Sequence, residues 1–113
     1  MKTMYFKTNY NQKLGCAGFV HIDRAPKDPV PSSALNQPLE IRTLDNTHPP
    51  VHKRLTSLTR FRLGEAVDCF TIPSHGMDAC DFINWWKKEN KEEEGANLAI
   101  YFYQDVQENS VSS

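Results

Sequence analysis

The chain has 113 residues, of which 39% are hydrophobic, 11% aromatic and 24% charged, and its formal net charge is −1. This length fits a single domain, and this composition excludes collagen-like, coiled-coil and wholly disordered proteins. No apolar run approaches the roughly 20 residues of a membrane-spanning helix, and the amino terminus lacks the apolar segment of a secretory signal. We therefore expect one soluble, cytoplasmic domain over residues 1–106, followed by a frayed polar tail at residues 107–113.

The amino-terminal half is predicted to contain three strands. Residues 4–8 and 19–22 carry bulky β-forming side chains, and a turn at residues 9–15 separates them. Residues 39–44 alternate apolar with charged side chains, which indicates a strand with one solvated face. Prolines between residues 26 and 38 interrupt both helical and sheet hydrogen bonding. We predict a long loop there, of the kind that is functional or disordered in compact domains.

The carboxyl-terminal half begins with two short segments of different pattern. Leu55, Leu58 and Phe61 are spaced by three residues, which permits a short helical turn. Residues 66–72 combine β-branched and aromatic side chains and end at a proline, which favours a strand. Residues 98–103 are apolar on both faces of a strand, which is typical of an internal position in a sheet.

The main helix is predicted over residues 78–90. Asp78 can accept a hydrogen bond as the N-cap, and Asp81 adds negative charge to the first turn. Apolar side chains then follow at the helical spacing i, i+3, i+4 and i+7, and these are Ala79, Phe82, Ile83 and Trp86. Strands outnumber helices, so the predicted fold is α+β, a small mixed β-barrel with one main helix and a long Pro-rich loop.

The cysteines and histidines do not form a metal-binding pattern. Cys16, Cys69 and Cys80 are an odd number of thiols, and they are expected to be reduced and to pack as small buried hydrophobes. No paired C-x(2–4)-C spacing is present, so no structural zinc site is predicted. The chain also lacks phosphate-loop, dinucleotide-binding and nucleophile-elbow motifs. We predict no catalytic residue, no metal and no cofactor.

Charge is distributed unevenly along the chain. Residues 1–62 contain ten Lys and Arg against four Asp and Glu, an excess of six positive charges, whereas residues 63–113 contain three against ten. Cations beside hydroxyl and aromatic side chains are the groups that contact phosphates and exposed bases. The predicted nucleic-acid-binding residues are Lys7, Tyr10, Lys13, Arg24, Arg42, Lys53, Arg54, Arg60 and Arg62. The two halves of the chain can also simply neutralise each other within one fold.

Three patches of the sequence resemble the ASCH domains, which are relatives of the PUA fold. Phe6-Lys7 with Tyr10 and Leu14 is similar to the opening strand and helical turn of that family. Residues 61–67, Phe-Arg-Leu-Gly-Glu-Ala-Val, are similar to its glycine turn into the barrel. Residues 75–102 resemble its Gly-initiated helix with an aromatic-rich face, followed by the closing strand. The resemblance implies a small β-barrel that is linked to RNA.

The same comparison implies binding rather than chemistry. Some ASCH proteins are small hydrolases of modified nucleosides, and their Gly-x-Lys-Thr turn would fall between Gly15 and Arg24, where Lys and Thr are absent. The leading hypothesis is therefore an RNA- or nucleotide-binding domain without its own catalysis and without a membrane partner. The alternative is a small protein-interaction or inhibitor domain that acts through its acidic half and exposed aromatics such as Trp85.

Overall fold

The computed structural model describes residues 2–106. The strands and helices in chain order are β1 (Lys2–Phe6), β2 (Gly18–Arg24), β3 (Pro38–Thr43), β4 (Val51–Arg62), α1 (Asp68–His75), α2 (Ala79–Asn90) and β5 (Asn97–Asp105). Short 3-10 turns lie at Tyr10–Gly15, Ser32–Ala34 and Leu63–Glu65. The predicted tail at residues 107–113 lies outside the described residues. Within residues 2–106, no helix has the length and apolar character needed to cross a membrane.

The strands form one mixed sheet in the order β1-β3-β4-β5-β2, with β1 parallel to β3 and all other neighbours antiparallel. The internal position predicted for residues 98–103 is confirmed, because β5 pairs with β4 on one side and β2 on the other. The sheet curls until its two edges approach: the Phe6 ring of β1 stacks on the His21 ring of β2, with centroids 3.9 Å apart. The α+β class is confirmed. Within residues 2–106 the hydrogen-bonded ladder does not close between β1 and β2.

Two apolar clusters lie on opposite faces of this sheet. Inside the curl, side chains from β1, β2, β3 and β5 pack together, and the buried ones are Phe6, Leu14, Phe19, Ile41 and Tyr103. On the outer face, α2 covers β2 and β5, and the buried side chains are Ile22, Leu63, Ala66, Phe82, Trp86, Leu98 and Ile100. Helix α2 confirms the prediction over residues 78–90, since Asp78 accepts a hydrogen bond from the Asp81 amide at 2.8 Å.

The strand predicted over residues 66–72 is wrong, because this segment starts helix α1. Its inward face is polar: Thr71, Ser74 and His75 are all buried, so hydrophobic periodicity cannot reveal it. Pro73 lies inside the helix. The Asn11 side-chain amide donates to the carbonyls of Ile72 and Pro73 at 3.1 and 3.3 Å, which satisfies backbone groups at the end of the helix.

The helical turn permitted around Leu55 and Leu58 is also wrong, because both residues lie in β4. The register of β4 against β5 shifts between Leu55 and Ser57, so the strand contains a bulge. Leu55 lies opposite Tyr103 and Leu58 opposite Tyr101. The extra residue of a bulge places side chains three positions apart on one face of the sheet, which imitates helical spacing.

The prediction for the three cysteines and the prediction for the Pro-rich loop have different outcomes. All three thiols are free, but they are exposed rather than buried, so the prediction of small buried hydrophobes is wrong. The loop predicted at residues 26–38 is present and is held against the sheet. The Asn36 amide donates to the Leu55 carbonyl at 2.8 Å, and the Arg60 guanidinium donates to the carbonyls of Pro26 and Asp28 at 2.7 and 3.0 Å.

Candidate functional site

A cleft of about 270 Å³ opens where the ends of β1 and β2 face the side of α2. We call it the Tyr10 cleft. Its lining combines aromatic rings, two imidazoles and side chains of both charges. The lining residues include Tyr5, Lys7, Tyr10, His21, Asp23, Arg24, Leu44, His75, Trp85 and Asn90. Three of the predicted binding residues, Lys7, Tyr10 and Arg24, are therefore brought together although 17 positions separate the first from the last.

The wall of the Tyr10 cleft is aromatic. The Tyr10 ring lies 4.3 Å from the His75 ring and 5.8 Å from the Trp85 ring, centroid to centroid. Tyr10 and Trp85 meet at an interplanar angle of 76°, edge to face, so no parallel slot exists between them. Both side chains are only partly buried. A flat ligand would therefore stack on one of these rings rather than between the two.

The floor of the cleft is formed by two neutral imidazoles. The rings of His21 and His75 lie nearly parallel, with centroids 5.3 Å apart and an interplanar angle of 22°. Burial lowers the pKa of His75 to about 3, and burial together with the nearby Lys13 ammonium holds the pKa of His21 well below its usual range. Both rings are therefore uncharged at neutral pH.

Lys13 lies buried behind this floor. Its Nζ donates to the Ser74 carbonyl at 2.5 Å and contacts His21 Nδ1 at 2.7 Å. The ring centroids of Phe6 and Phe19 lie 5.7 and 5.9 Å from the same Nζ, within the range of a cation–π contact. Burial lowers the pKa of Lys13 to about 7, and a weaker attraction to Asp23 opposes the shift. The hydrogen-bond acceptors around this amine are thus neutral.

The rim of the cleft carries charged side chains. Lys7 is exposed, and the Arg24 guanidinium pairs with the Glu92 carboxylate at 3.3 Å. The Trp86 indole donates to that same carboxylate at 2.9 Å, which fixes its position. Partial burial and the negative charge of Glu89 raise the pKa of Tyr10, so its hydroxyl stays protonated well above neutral pH. An anionic ligand group at this rim would compete with Glu92 for Arg24.

A second cleft, of about 470 Å³, adjoins the first at the end of β2. We call it the Arg60 cleft. Lys27, Arg60 and Arg62 line it together with Glu65, and neither arginine forms an ion pair within residues 2–106. Arg24 lines the Tyr10 cleft, and the next residues along the chain line the Arg60 cleft. The two clefts therefore form a continuous edge of the molecule.

The other predicted binding residues are not gathered at these clefts. Lys53 is buried, and its Nζ pairs with the Asp105 carboxylate and donates to the Cys16 carbonyl at 2.6 Å. Arg42 pairs with Glu40 at 2.7 Å. Arg54 donates to Asn36, Gln104 and the Asp105 carbonyl. These three cations, like the buried Lys13, line neither cleft and have partners within the fold.

Four residues that line the two clefts were not predicted from the sequence to line a ligand site, and these are His21, Lys27, His75 and Trp85. Lys27 lies in the basic half of the chain, so the uneven distribution of charge could have identified it. The charge distribution could not have identified the two histidines, which count as neutral, and His75 lies at the end of helix α1, which begins in the segment predicted as a strand. Within residues 2–106, no cluster of three or more His, Cys, Asp or Glu side chains is placed to hold a metal ion. Comparison of the chain with protein-family models, with curated proteins and with solved structures gives no match.

Proposed function

We propose that this chain binds a nucleotide unit, free or within single-stranded RNA, and performs no chemistry on it. The base stacks on the open faces of Tyr10 and Trp85, and phosphate groups contact Lys7 and Arg24. The observation that carries the proposal is the Tyr10 cleft itself, where half-buried aromatic rings lie beside two exposed cations. Base–aromatic stacking is worth about 1–3 kcal/mol per base and tolerates every base.

The Arg60 cleft supports the extension from a nucleotide to a strand. It continues the positive edge beyond Arg24, and its cations Lys27 and Arg62 are exposed. Phosphates that follow the stacked base would meet these groups in turn. Residues 63–113 carry a net negative charge, so the proposed binding uses this edge and not a broad positive surface. The proposed contact is narrow, one cleft for a base and one edge for a few phosphates.

The proposal includes the finer description of the fold. We infer a PUA/ASCH-like barrel whose last gap, between β1 and β2, is closed by ring stacking of Phe6 on His21 rather than by a ladder. The Tyr10 cleft opens at that gap. The three free thiols fit a reducing compartment, which supports the expected cytoplasmic location.

The salt dependence of RNA binding tests this proposal. A fluorescently labelled single-stranded RNA of about ten nucleotides would be titrated with the protein by anisotropy. Four phosphate contacts, made by Lys7, Arg24, Lys27 and Arg62, should weaken binding about 50-fold between about 50 and 200 mM salt. Arg62→Gln removes one contact and should reduce that dependence to about 20-fold.

The matched control is Arg42→Gln. Arg42 is also exposed, but it pairs with Glu40 on β3 and lines neither cleft, so its replacement should leave affinity and salt dependence unchanged. Binding should also quench Trp85 by stacking, whereas Trp86 is buried. Absence of binding to RNA and to nucleotides at low salt would refute the proposal, as would equal losses in the Arg62 and Arg42 variants.

A protein partner is the second candidate function, and one observation favours it. Tyr5 and Leu44 are 58% and 64% exposed, and both line the Tyr10 cleft. Large exposed apolar side chains beside a cleft are typical of interaction sites. Leu44→Ser should abolish binding of such a partner but reduce RNA affinity by less than Arg62→Gln does, and this difference separates the two functions.

A further inference from the structure

The hydrogen bonds behind the Tyr10 cleft determine which nitrogen of His75 carries its proton. The Ile22 amide donates to Ser74 Oγ at 2.8 Å, so this oxygen is an acceptor in that contact. Ser74 Oγ lies 2.7 Å from His75 Nδ1. Ser74 is fully buried, and within residues 2–106 its hydroxyl contacts no acceptor other than that nitrogen, so we infer that the hydroxyl donates and Nδ1 accepts. A neutral imidazole has one donor and one acceptor, which places the proton of His75 on Nε2.

His21 is fixed in the same tautomer by a different neighbour. At a pH below about 7, Lys13 Nζ is mostly charged and can only donate, and its partners are the Ser74 carbonyl and His21 Nδ1. His21 Nδ1 therefore accepts, and its proton lies on Nε2. Two separate contacts, one from a hydroxyl and one from an amine, leave the two parallel rings with the same arrangement of donors.

Both Nε2–H groups remain available to a ligand. The recorded partners of the two rings within residues 2–106 are at Nδ1. In the same part of the chain, the fully buried side-chain nitrogen and oxygen atoms that lack a hydrogen-bond partner are Thr43 Oγ1 and Thr71 Oγ1. The Nε2 atoms of His21 and His75 are not among them, and both rings line the Tyr10 cleft. A bound group that reaches the floor meets two hydrogen-bond donors and no acceptor from these rings.

We propose that His21 and His75 select bases that present a carbonyl oxygen at C4 of a pyrimidine or C6 of a purine, as uracil and hypoxanthine do, over cytosine and adenine, which carry an amino group at that position. This inference rests on the proposed function, since it concerns the base that stacks in the Tyr10 cleft. A carbonyl oxygen accepts from an Nε2–H group, whereas an exocyclic amino group would place donor against donor. The unpaired donors would then be buried without a partner, which is how a site rejects a near-isosteric ligand.

The chemistry of the floor favours a carbonyl over a phosphate. The low pKa of each ring keeps both imidazoles neutral at the pH of the experiment, and neutral donors among aromatic rings suit a neutral acceptor. A phosphate instead finds full charges at the exposed Lys7 and Arg24. The Lys13 ammonium behind His21 adds a positive potential that further favours the partial negative charge of a carbonyl oxygen.

Matched nucleotide pairs test the selection. The dissociation constants of 5′-UMP and 5′-CMP, and of 5′-IMP and 5′-AMP, would be measured by Trp85 quenching and by NMR shift titration. We expect UMP and IMP to bind at least about tenfold more tightly than their amino partners, as the loss of one or more buried hydrogen bonds requires. His75→Phe keeps the ring stack and removes the donor, so it should reduce each ratio several-fold with little change for CMP.

Ser74→Ala provides a sharper variant, because it leaves His75 in place. Without the Ser74 hydroxyl, the His75 proton can move to Nδ1 and Nε2 can accept from an amino group. CMP should then gain affinity while UMP loses it. Lys7→Gln is the control: it should weaken all four nucleotides alike and leave the ratios unchanged. Circular dichroism of each variant would verify that it is folded.

The tautomers can be observed without any ligand. Long-range ¹H–¹⁵N NMR of the imidazoles should show both protons on Nε2, and a proton on Nδ1 of either ring would overturn the inference. Equal affinities within the nucleotide pairs, or preference for the amino base, would overturn it too and leave the proposed function standing. Failure of all four nucleotides and of RNA to bind would instead refute the proposed function.

Discussion

Replacing Lys13 by methionine should remove most of the change in stability that this protein shows between pH 7 and 9. Lys13 is only 3% exposed, and the acceptors within reach of its amine are the Ser74 carbonyl and His21 Nδ1. Folding thus transfers an ammonium group from water into a site where no carboxylate of residues 2–106 pairs with it. Burial of this kind disfavours the charged form, which is why the pKa of Lys13 falls to about 7.

The magnitude follows from proton linkage. An exposed lysine has a pKa near 10.4, so between pH 7 and 9 the unfolded chain holds a proton at this position that the folded chain progressively releases. Stability rises with pH wherever the unfolded state binds more protons. Integration over this interval, with a folded pKa of about 7, gives a gain of about 2 kcal/mol at pH 9 relative to pH 7.

Other groups with shifted pKa values change protonation outside this window. His21 and His75 have lowered pKa values, so their contribution changes below their ordinary pKa of 6.5. Burial raises the pKa of Tyr10, Tyr101 and Tyr103, so these phenols differ between folded and unfolded chains only near or above their ordinary value of 10.0. The interval between pH 7 and 9 therefore isolates the amine.

Urea unfolding of the wild type and of Lys13→Met at pH 7, 8 and 9 would measure the effect. The wild type should gain about 2 kcal/mol across the series, and the variant should be nearly flat. Lys53→Met is the matched control, since it replaces another buried lysine, one that pairs with Asp105, and leaves Lys13 in place; its pH dependence should follow the wild type. An equal slope in wild type and Lys13→Met would refute the reasoning.

Two further changes in stability follow from the structure. His75 folds as a neutral ring with a pKa of about 3, so the stabilisation present above pH 6.5 should be lost as pH falls, by about 3 kcal/mol between pH 7 and 4; His21 acts in the same direction, and acid unfolding of His75→Phe should show the smaller loss. Asp78→Ala removes the N-cap acceptor of the Asp81 amide and should cost about 1 kcal/mol. Asp81→Asn keeps that amide and should cost less than half as much in the same urea titration.

Much of the fold was predictable because the deciding signals are local. The helix α2 carries its cap, Asp78, and its buried stripe within a few turns, and β5 carries its internal position as apolar residues on both faces. The two errors arose where a distant element decides the structure. The β4 bulge is defined by its register against β5, and α1 is stabilised by polar contacts of Ser74 with β2. Neither contact has a signature in the sequence of the segment itself.

One part of the candidate site was likewise predictable from the sequence, and another part was not. Residue type and charge identified Lys7, Tyr10 and Arg24, and these do line one cleft. Counting charges along the sequence treats every cation as a surface group. The predicted binding residues therefore included Lys13 and Lys53, which are only 3% and 4% exposed. Burial depends on which strands become neighbours, and a sum of charges does not contain that information.

The two buried lysines show where the molecule tolerates a cost. Lys53 has a carboxylate beside it, Asp105, as a buried ammonium normally does. Among the described residues, the acceptors of Lys13 are neutral, and at a pH below about 7 its burial costs about 5 kcal/mol relative to a lysine in water. This is comparable to the whole stability of a small domain, which is about 5–15 kcal/mol. Packing alone does not require an amine at this position. The feature that a methionine would lack is the contact of Nζ with His21 Nδ1 at 2.7 Å, and under the proposed selection of bases that contact keeps the His21 proton on Nε2, toward the cleft.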